Sequence, residues 1–393
     1  MNPVYIYDAL RTPLEAGLSG GAYREIRPLD LLRQTLLVLS KREFWRHVPP
    51  SDFILGCATP VGDLGKNIAR AALLHAGMHA ISGVQLNRFD LSGLDAVGWA
   101  MARIGAGMEA AVLAGGLCLQ SSLDARQDRG AWTDDPDMAI LPTGFPPVFS
   151  ADLQSWLHAL DADGLEAYAK NARSRGQDIS TSDFSYLFPI LDDNGLTLID
   201  QDRLPEASET SEGLPLLPEV VYQRFLPLAQ KKYFHLEHFP RIHAASTAAA
   251  PADGLGLLLL GGEPTTAARV PLARIRAYVL LESAENLPFA GMTQAAEAAL
   301  ARSGLSREQI DLWACDEPFA GIALAFQRSM QLDPERLNVS GGNLVFGRPA
   351  AANGSYLLIR MLEDLKNKQL SFGLLALADH SGSSGAIIVE NLG

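Results

Sequence analysis

The side chains equipped for chemistry are few and scattered along the chain. Among the candidate site residues, His380 is the one group with a pKa suited to general base work near neutrality. It sits at the end of an apolar run, in Leu377-Ala378-Asp379-His380-Ser381-Gly382. Two readings stand for a histidine in that setting: a base, or a loop residue satisfied by solvent or a hydrogen bond. Asp379 is a poor orienting partner for it, because adjacent residues on a strand point to opposite faces. Arg348, after Gly347, keeps its proton under all ordinary conditions, so it stabilises an anion but cannot serve as a base. Asp90 stands just before a helix-period stretch, where a carboxylate caps the helix and suits its dipole. Cys57, Cys118 and Cys315 are an odd number with no metal-ligand spacing, and read as reduced thiols. Nothing resembles a metal site, a phosphate-cradling loop or a dinucleotide fingerprint, since Gly105 and Gly107 close a helix rather than open one.

The elements that must position these groups follow an alternating order. Short apolar runs at Val4–Tyr7, Phe53–Gly56 and Val112–Ala114 alternate with helix-period stretches at Leu29–Leu39 and Ile68–Ala76, which predicts an α/β layered fold. Leu94, Val97, Met101 and Ile104 fall on one face of a helix over 91–107. A similar order returns near the C-terminus, with Gly341-Gly342 and Gly347, a helix over Ser355–Leu365, and strands at Phe372–Leu377 and Ala386–Val389. Two copies of one layered unit are expected. Strand-like runs at Leu255–Leu260 and Ala277–Glu282 open the second half. Residues 117–245 differ: Pro136, Pro142, Pro146, Pro147, Pro205, Pro215 and Pro218 break the pattern, and only 163–174 predicts a helix there. The domains expected are therefore 1–116, completed by about 246–270, then a 117–245 loop domain, then 271–393.

The chain has 393 residues, 48% apolar and 20% charged, with 32 Lys+Arg against 45 Asp+Glu and a net charge of −13. That composition is globular, and the acid surplus argues against nucleic acid and anionic membrane as partners. The opening Val4-Tyr5-Ile6-Tyr7 lacks the basic head and apolar stretch of a signal peptide, and the longest apolar run is too short for a bilayer, so the cytoplasm is the expected location.

Several ordered motifs together resemble the thiolase superfamily over nearly the whole length. Tyr7-Asp8-Ala9-Leu10-Arg11-Thr12-Pro13 is similar to the family's D-A-x-R-T-P opening, and Asn87-Arg88-Phe89-Asp90-Leu91-Ser92-Gly93-Leu94 to its N-x-x-C-G-S-G-L nucleophile loop. Ala114-Gly115-Gly116 fits the A-G-G that follows. Asp316-Glu317-Pro318-Phe319-Ala320 resembles N-E-A-F-A. Asn338-Val339-Ser340-Gly341-Gly342 and Gly347-Arg348-Pro349-Ala350-Ala351-Ala352-Asn353-Gly354 resemble N-x-x-G-G and G-H-P-x-G-x-S-G. The resemblance implies a thiolase fold with two pseudo-symmetric α-β-α-β-α halves and an inserted loop domain over the active site. It also implies a homodimer or dimer of dimers, and acyl-CoA as substrate for thiolytic cleavage or Claisen condensation.

Position by position, the resemblance puts Asp90 where the family has its nucleophilic cysteine. A thiolate attacks and leaves well, whereas a carboxylate attacking a thioester gives a mixed anhydride that water destroys. Arg348 stands at the family's histidine, and Asp316 at the asparagine that holds an oxyanion-site water, replacing a donor by an acceptor. The second cysteine falls at Ala378 or Asp379. The family nucleophile and histidine face one cavity, so Asp90 and Arg348 are expected to form an ion pair filling it. The N-A-S-G segment that meets pantetheine matches Thr247-Ala248-Ala249-Ala250, with Ala249 at the serine, while Arg241, Lys231 and Lys232 are cations placed to meet CoA phosphates or to be solvated.

Two functional readings follow. In the first, the chain is a thiolase-like acyltransferase homologue that is catalytically silent, a structural or regulatory subunit, as a homo-oligomer or in a heteromer with an active thiolase-like partner. It requires no cofactor and no metal, with CoA or acyl-CoA as a possible ligand. In the second, Arg348 holds a carboxylate or enolate while His380 or Asp90 moves a proton, giving hydrolysis, decarboxylation or a non-covalent condensation on a thioester.

Overall fold

A computed structural model of the chain describes residues 2–18, 21–123, 127–138, 145–177, 186–192, 194–203, 219–236, 241–263, 270–283 and 287–393. Pro142, Pro205, Pro215 and Pro218 lie outside them. The strands are β1 (Val4–Arg11), β2 (Glu15–Ala16), β3 (Asp52–Gly56), β4 (Ser82–Leu86), β5 (Ala111–Cys118), β6 (Ile190–Leu191), β7 (Thr197–Ile199), β8 (Ala252–Gly261), β9 (Ala273–Glu282), β10 (Leu312–Cys315), β11 (Phe372–Ala378) and β12 (Ser383–Asn391). The helices are α1 (Pro28–Ser40), α2 (Glu43–His47), α3 (Ile68–His75), α4 (Ser92–Gly105), α5 (Ala131–Asp134), α6 (Pro147–Leu157), α7 (Ala162–Gln177), α8 (Glu219–Lys232), α9 (Met292–Ser303), α10 (Ala320–Met330), α11 (Asn343–Phe346) and α12 (Asn353–Asn367).

The strand order β10-β11-β12-β9-β1-β8-β5-β3-β4 contains the same unit twice. In the first half β3 runs parallel to β5, β5 antiparallel to β8, and β8 antiparallel to β1. In the second, β10 runs parallel to β11, β11 antiparallel to β12, and β12 antiparallel to β9. The two units join where Val4–Ile6 of β1 pair with Ile275–Ala273 of β9.

The layering is written in period two along the buried strands. Within β8, Leu258 and Leu260 pack in the middle of the molecule with Leu94 and Val97 of α4 and Leu358 and Ile359 of α12. The alternate Leu255, Leu257 and Leu259 pack outward with Leu32 and Leu36 of α1 and Leu73 of α3. On the other unit, Ala386 and Ile388 of β12 pack with Ala295 and Ala299 of α9 and Phe326 of α10. Burial on both faces explains why these strands read as continuous apolar runs.

The middle layer is the contact of α4 with α12 and the turn before it, and it works only with glycine. A Cβ on Gly93 would lie 2.6 Å from the Ala351 carbonyl, and one on Gly354 would lie 2.6 Å from the Leu94 Cβ. That contact draws the loop before α4 against the segment before α12. Between the units, α6 and α8 form a satellite core around Phe149, Leu153, Tyr222 and Phe225. The helix expected at 163–174 is α7. The sequence pattern alone had not marked β4, β10, α6, α8, α9 or α10.

Candidate functional site

Four loops meet at the ends of strands. Asp90 follows β4, Asp316 follows β10, Arg348 follows α11, and Asp379 and His380 follow β11. The carboxyl ends of parallel strands are where open α/β sheets place their ligands. Arg348 is threaded between them by main-chain bonds: its N–H donates to the Ala250 carbonyl at 2.8 Å, and its carbonyl accepts from the Ala252 N–H at 3.2 Å.

The guanidinium of Arg348 bridges two carboxylates. Its Nε and Nη2 donate to Asp316 Oδ1 and Oδ2 at 2.8 and 2.6 Å, a bidentate pair, and Nη1 donates to Asp90 Oδ2 at 2.8 Å. The ion pair with Asp90 is thus present, but the bidentate partner is Asp316. Asn353 Nδ2 donates to Asp316 Oδ1 at 2.9 Å, and Asn343 Nδ2 donates to Asn353 Oδ1 at 2.7 Å, so two asparagines orient the acid from behind. Asp316 has no exposed surface, and the Arg348 side chain is only 13% exposed.

Asp90 does not cap α4. The N-cap residue is Leu91, with no side-chain bond, and the Asp90 carboxylate turns instead to Arg348, whose full charge at hydrogen-bond distance outweighs the helix dipole. The turn that aims it places Phe89 at φ +44°, a left-handed conformation unusual for a bulky residue. His380 Nδ1 lies 3.8 Å from the same Asp90 Oδ2, an ion-pair distance beyond hydrogen-bond reach. The His380 ring meets Phe89 edge-on at 4.7 Å and Trp132 of α5 at 6.2 Å, and these rings shield the cluster on one side.

Burial favours the neutral form of each of these acids, and charge decides between them. For Asp90, burial is outweighed by Arg348 and His380, which hold its carboxyl well below the usual range. For Asp316, burial wins over Arg348 and the carboxyl is raised, with Asp90 adding to the rise. The Arg348 guanidinium is fixed in its charged form, its burial overcome by both acids. His380 is raised: burial opposes the charge, but Asp90 and Asp379 favour it. Asp379 is pushed up to about 6 by burial and by the nearby Asp90 charge.

Asp379 and His380 lie in the turn that follows β11, and the Asp90 charge acts on both. Asp379 is wholly buried, and its Oδ1 accepts from the Ser381 N–H and hydroxyl at 2.8 and 2.6 Å. Its Oδ2 is buried and has no hydrogen-bond partner. Ala378 packs outward with the core around α9, whereas Asp379 lies near enough for the Asp90 charge to act on it.

The proposed ligand-contact residues fall in different places. Ala249 borders the cluster, its N–H donating to the Pro318 carbonyl at 3.1 Å, one residue before the Ala250 carbonyl that holds Arg348. Arg241 does not join it. It pairs with Glu219 and lies over the Tyr222 ring at 4.6 Å, because α8 presents both to it. Cys118 and Cys315 are buried and their thiols raised by that burial, which keeps them from serving as nucleophiles. Asn343, Asn353, Phe89 and Trp132 escaped the residue-by-residue reading, since each acts through a partner distant in sequence. Among the described residues, no group of three or more His, Cys, Asp or Glu stands close enough to hold a metal ion, and no helix is long and apolar enough to cross a membrane.

A layered unit present twice, with the charged cluster at the loop ends between the two copies, defines a duplicated α/β architecture, and comparison with known families identifies it. The model of the thiolase N-terminal domain matches residues 4–132 and that of the thiolase C-terminal domain matches residues 269–391. The chain belongs to the thiolase superfamily. It is 27% identical to a 3-oxoadipyl-CoA/3-oxo-5,6-dehydrosuberyl-CoA thiolase of Escherichia coli, over the full length of both chains. It is 25% identical to an acetyl-CoA acetyltransferase of the same organism, again over both full lengths. Among solved structures, the Bacillus anthracis acetyl-CoA acetyltransferase superimposes with a TM-score of 0.82 at 24% identity, covering 100% of this chain and 99% of that one. The human mitochondrial 3-ketoacyl-CoA thiolase does so at 0.77 and 20%, covering 99% of each chain.

Proposed function

We propose that this thiolase-superfamily chain does not carry out covalent acyl transfer and serves as a structural or regulatory subunit. The observation that supports it is the Arg348 cluster: Nε, Nη1 and Nη2 are all engaged, by Asp316 and Asp90. At the position that the motif resemblance gives to the nucleophile stands a carboxylate held strongly ionised by an arginine, which makes it a weak nucleophile. At the position of the oxyanion-binding histidine stands a cation already neutralised by two acids, with little left to offer a developing enolate. The relatives' names make CoA or an acyl-CoA the ligand to test. The family resemblance makes a homodimer, a dimer of dimers or a heteromer with an active thiolase-like subunit the assembly to look for, in the cytoplasm.

The test is turnover of acetoacetyl-CoA with CoA by the purified chain, followed through loss of the 3-oxoacyl thioester absorbance, alongside Asp90→Ala. The expected result is a rate equal to the protein-free blank in both. A rate that disappears in Asp90→Ala would overturn the proposal. Calorimetric titration with CoA and acetyl-CoA then separates the two forms of the reading. Micromolar binding assigns a ligand-sensing role, whereas no binding at millimolar ligand assigns a purely structural one.

One observation favours a second reading. His380 keeps 31% of its side chain exposed beside Asp90, and Asp379 Oδ2 is unpartnered behind it. A base and a nearby buried acid raised to about 6 are the parts of a hydrolase or decarboxylase site. That reading requires thiol-independent turnover of an acyl-CoA that is lost in His380→Ala.

A further inference from the structure

Behind the Arg348 cluster lies a separate cavity of about 220 Å³, between α7 and α10. Ala167, Ala172, Leu324, Pro334 and Leu337 form the apolar part of its wall. Tyr168, Asn338 and Glu317 meet on one side of it, and Asn171, Arg175 and Gln327 also line it. The Tyr168 hydroxyl donates to Glu317 Oε1 at 2.5 Å, Asn338 Nδ2 donates to the same oxygen at 2.6 Å, and the Leu344 N–H donates to Oε2 at 3.3 Å.

Every donor to Glu317 in that set is neutral. Glu317 has no exposed surface, and no lysine or arginine among the described residues lies within ion-pair distance of it. Arg175 on the cavity wall is committed elsewhere, donating to the Leu337 carbonyl and pairing with Glu335, both at 3.0 Å. A buried carboxylate without a cation is costly, and burial accordingly raises the Glu317 carboxyl. A cavity that joins apolar lining to a few placed polar groups is the usual form of a small-ligand site, and this one is smaller than the ~300–1,000 Å³ clefts that take drug-sized molecules.

We propose that this cavity binds a small primary alkylamine, with its alkyl chain along Ala167, Leu324 and Leu337 and its ammonium group directed to Glu317 and the Tyr168 oxygen. The amine supplies the missing positive charge, and an anionic ligand is repelled by the same carboxylate. Occupancy reaches the Arg348 cluster through one residue. Asn343 Oδ1 accepts from the Glu317 N–H at 3.2 Å, while its amide holds Asn353, which holds Asp316. The inference is independent of whether the cluster turns over a thioester.

The experiment titrates the full chain with n-propylammonium chloride near neutral pH at constant ionic strength, by ligand-observed NMR and calorimetry, with n-propanol as the neutral control. Saturable binding of the amine, no comparable binding of the alcohol, and affinity about tenfold or more weaker in Glu317→Gln are expected. Equal binding of the alcohol, equal affinity in Glu317→Gln, or no saturation by the amine overturns the proposal. If Glu317→Gln does not fold, Leu324→Trp, which fills the cavity from its apolar side, takes its place. Amine binding that survives Leu324→Trp is again refuting.

Discussion

Replacing Arg348 by methionine isolates what holds the centre of the molecule together. The substitution keeps an unbranched stem and removes three charge-assisted hydrogen bonds of 2.6–2.8 Å. It leaves Asp90 and Asp316 facing each other with no cation. Breaking a buried pair in this way costs about 3–5 kcal/mol, because the stranded charges keep their desolvation penalty. Removing the acids as well, in Asp90→Asn/Asp316→Asn/Arg348→Met, should recover most of that loss. The pH dependence gives a second, independent check. In the native chain the Asp90 carboxyl is held low, so its contribution is complete above its unfolded value of about 4 and is lost as the pH falls further. In Arg348→Met the lowering influence of the arginine is gone and burial raises both acids, so the variant gains stability as the pH falls from neutrality towards ~4. Urea midpoints by tryptophan fluorescence, near pH 8 and near pH 5, read both effects. A loss below about 1 kcal/mol near pH 8, within the range of exposed ion pairs, would refute the account of a dry, structural cluster. Parallel pH dependence in variant and native chain would do the same.

Asp379→Asn should stabilise the protein in alkaline but not in acidic solution. A carboxyl raised to about 6 favours folding below its unfolded value and loses that contribution as the pH rises through 6. The shift corresponds to about 3 kcal/mol near pH 8, and denaturation midpoints across pH 4–8 measure it. Asn353→Ala removes the amide that holds Asp316 Oδ1 and leaves Asn343 half-satisfied, so a loss of about 1–3 kcal/mol is expected in the same urea assay. Gly116→Ala would put a methyl group 2.3 Å from the Ala351 carbonyl, between two backbones that cannot separate. A loss of about 1–3 kcal/mol or more is expected there, and a thermal midpoint unchanged from the native chain would contradict the packing.

Most of the strands that the sequence pattern marks are buried on both faces, β9 with its half-buried alternate residues being the exception. β8 carries Leu255 and four consecutive leucines, Leu257–Leu260, divided between two cores, and such a run is legible without any partner. The ones it misses are short or half-exposed. β4 is Ser-Gly-Val-Gln-Leu at the edge of the sheet, partly open to solvent, and β10 is only Leu-Trp-Ala-Cys. Alternation over four or five residues is too little signal to separate from a loop. α9 is missed for another reason: its buried positions are mostly alanines, Ala295, Ala296 and Ala299, whose apolar stripe is faint beside that of leucine.

The candidate site divides along the same physical line. That Arg348 must be ionised and that a buried Asp90 must be paired follow from residue chemistry, while their adjacency is what the family resemblance implies. What no spacing contains is the geometry that apportions one guanidinium between two acids. Asp316, fixed by Asn353 and with its own N–H bonded to the Ala376 carbonyl at 3.0 Å, presents both oxygens to the Nε and Nη2 edge of the guanidinium. Asp90, on a turn strained at Phe89, presents one. The second acid is therefore the less tightly held, and its carboxylate is the one His380 approaches. If the cluster moves at all on binding a ligand, Asp90 is the member that has to leave Arg348 first. Exchange broadening on a carboxyl-carbon probe of aspartate should then fall on Asp90 and spare Asp316. Equal broadening of both would show that the arginine is shared without preference.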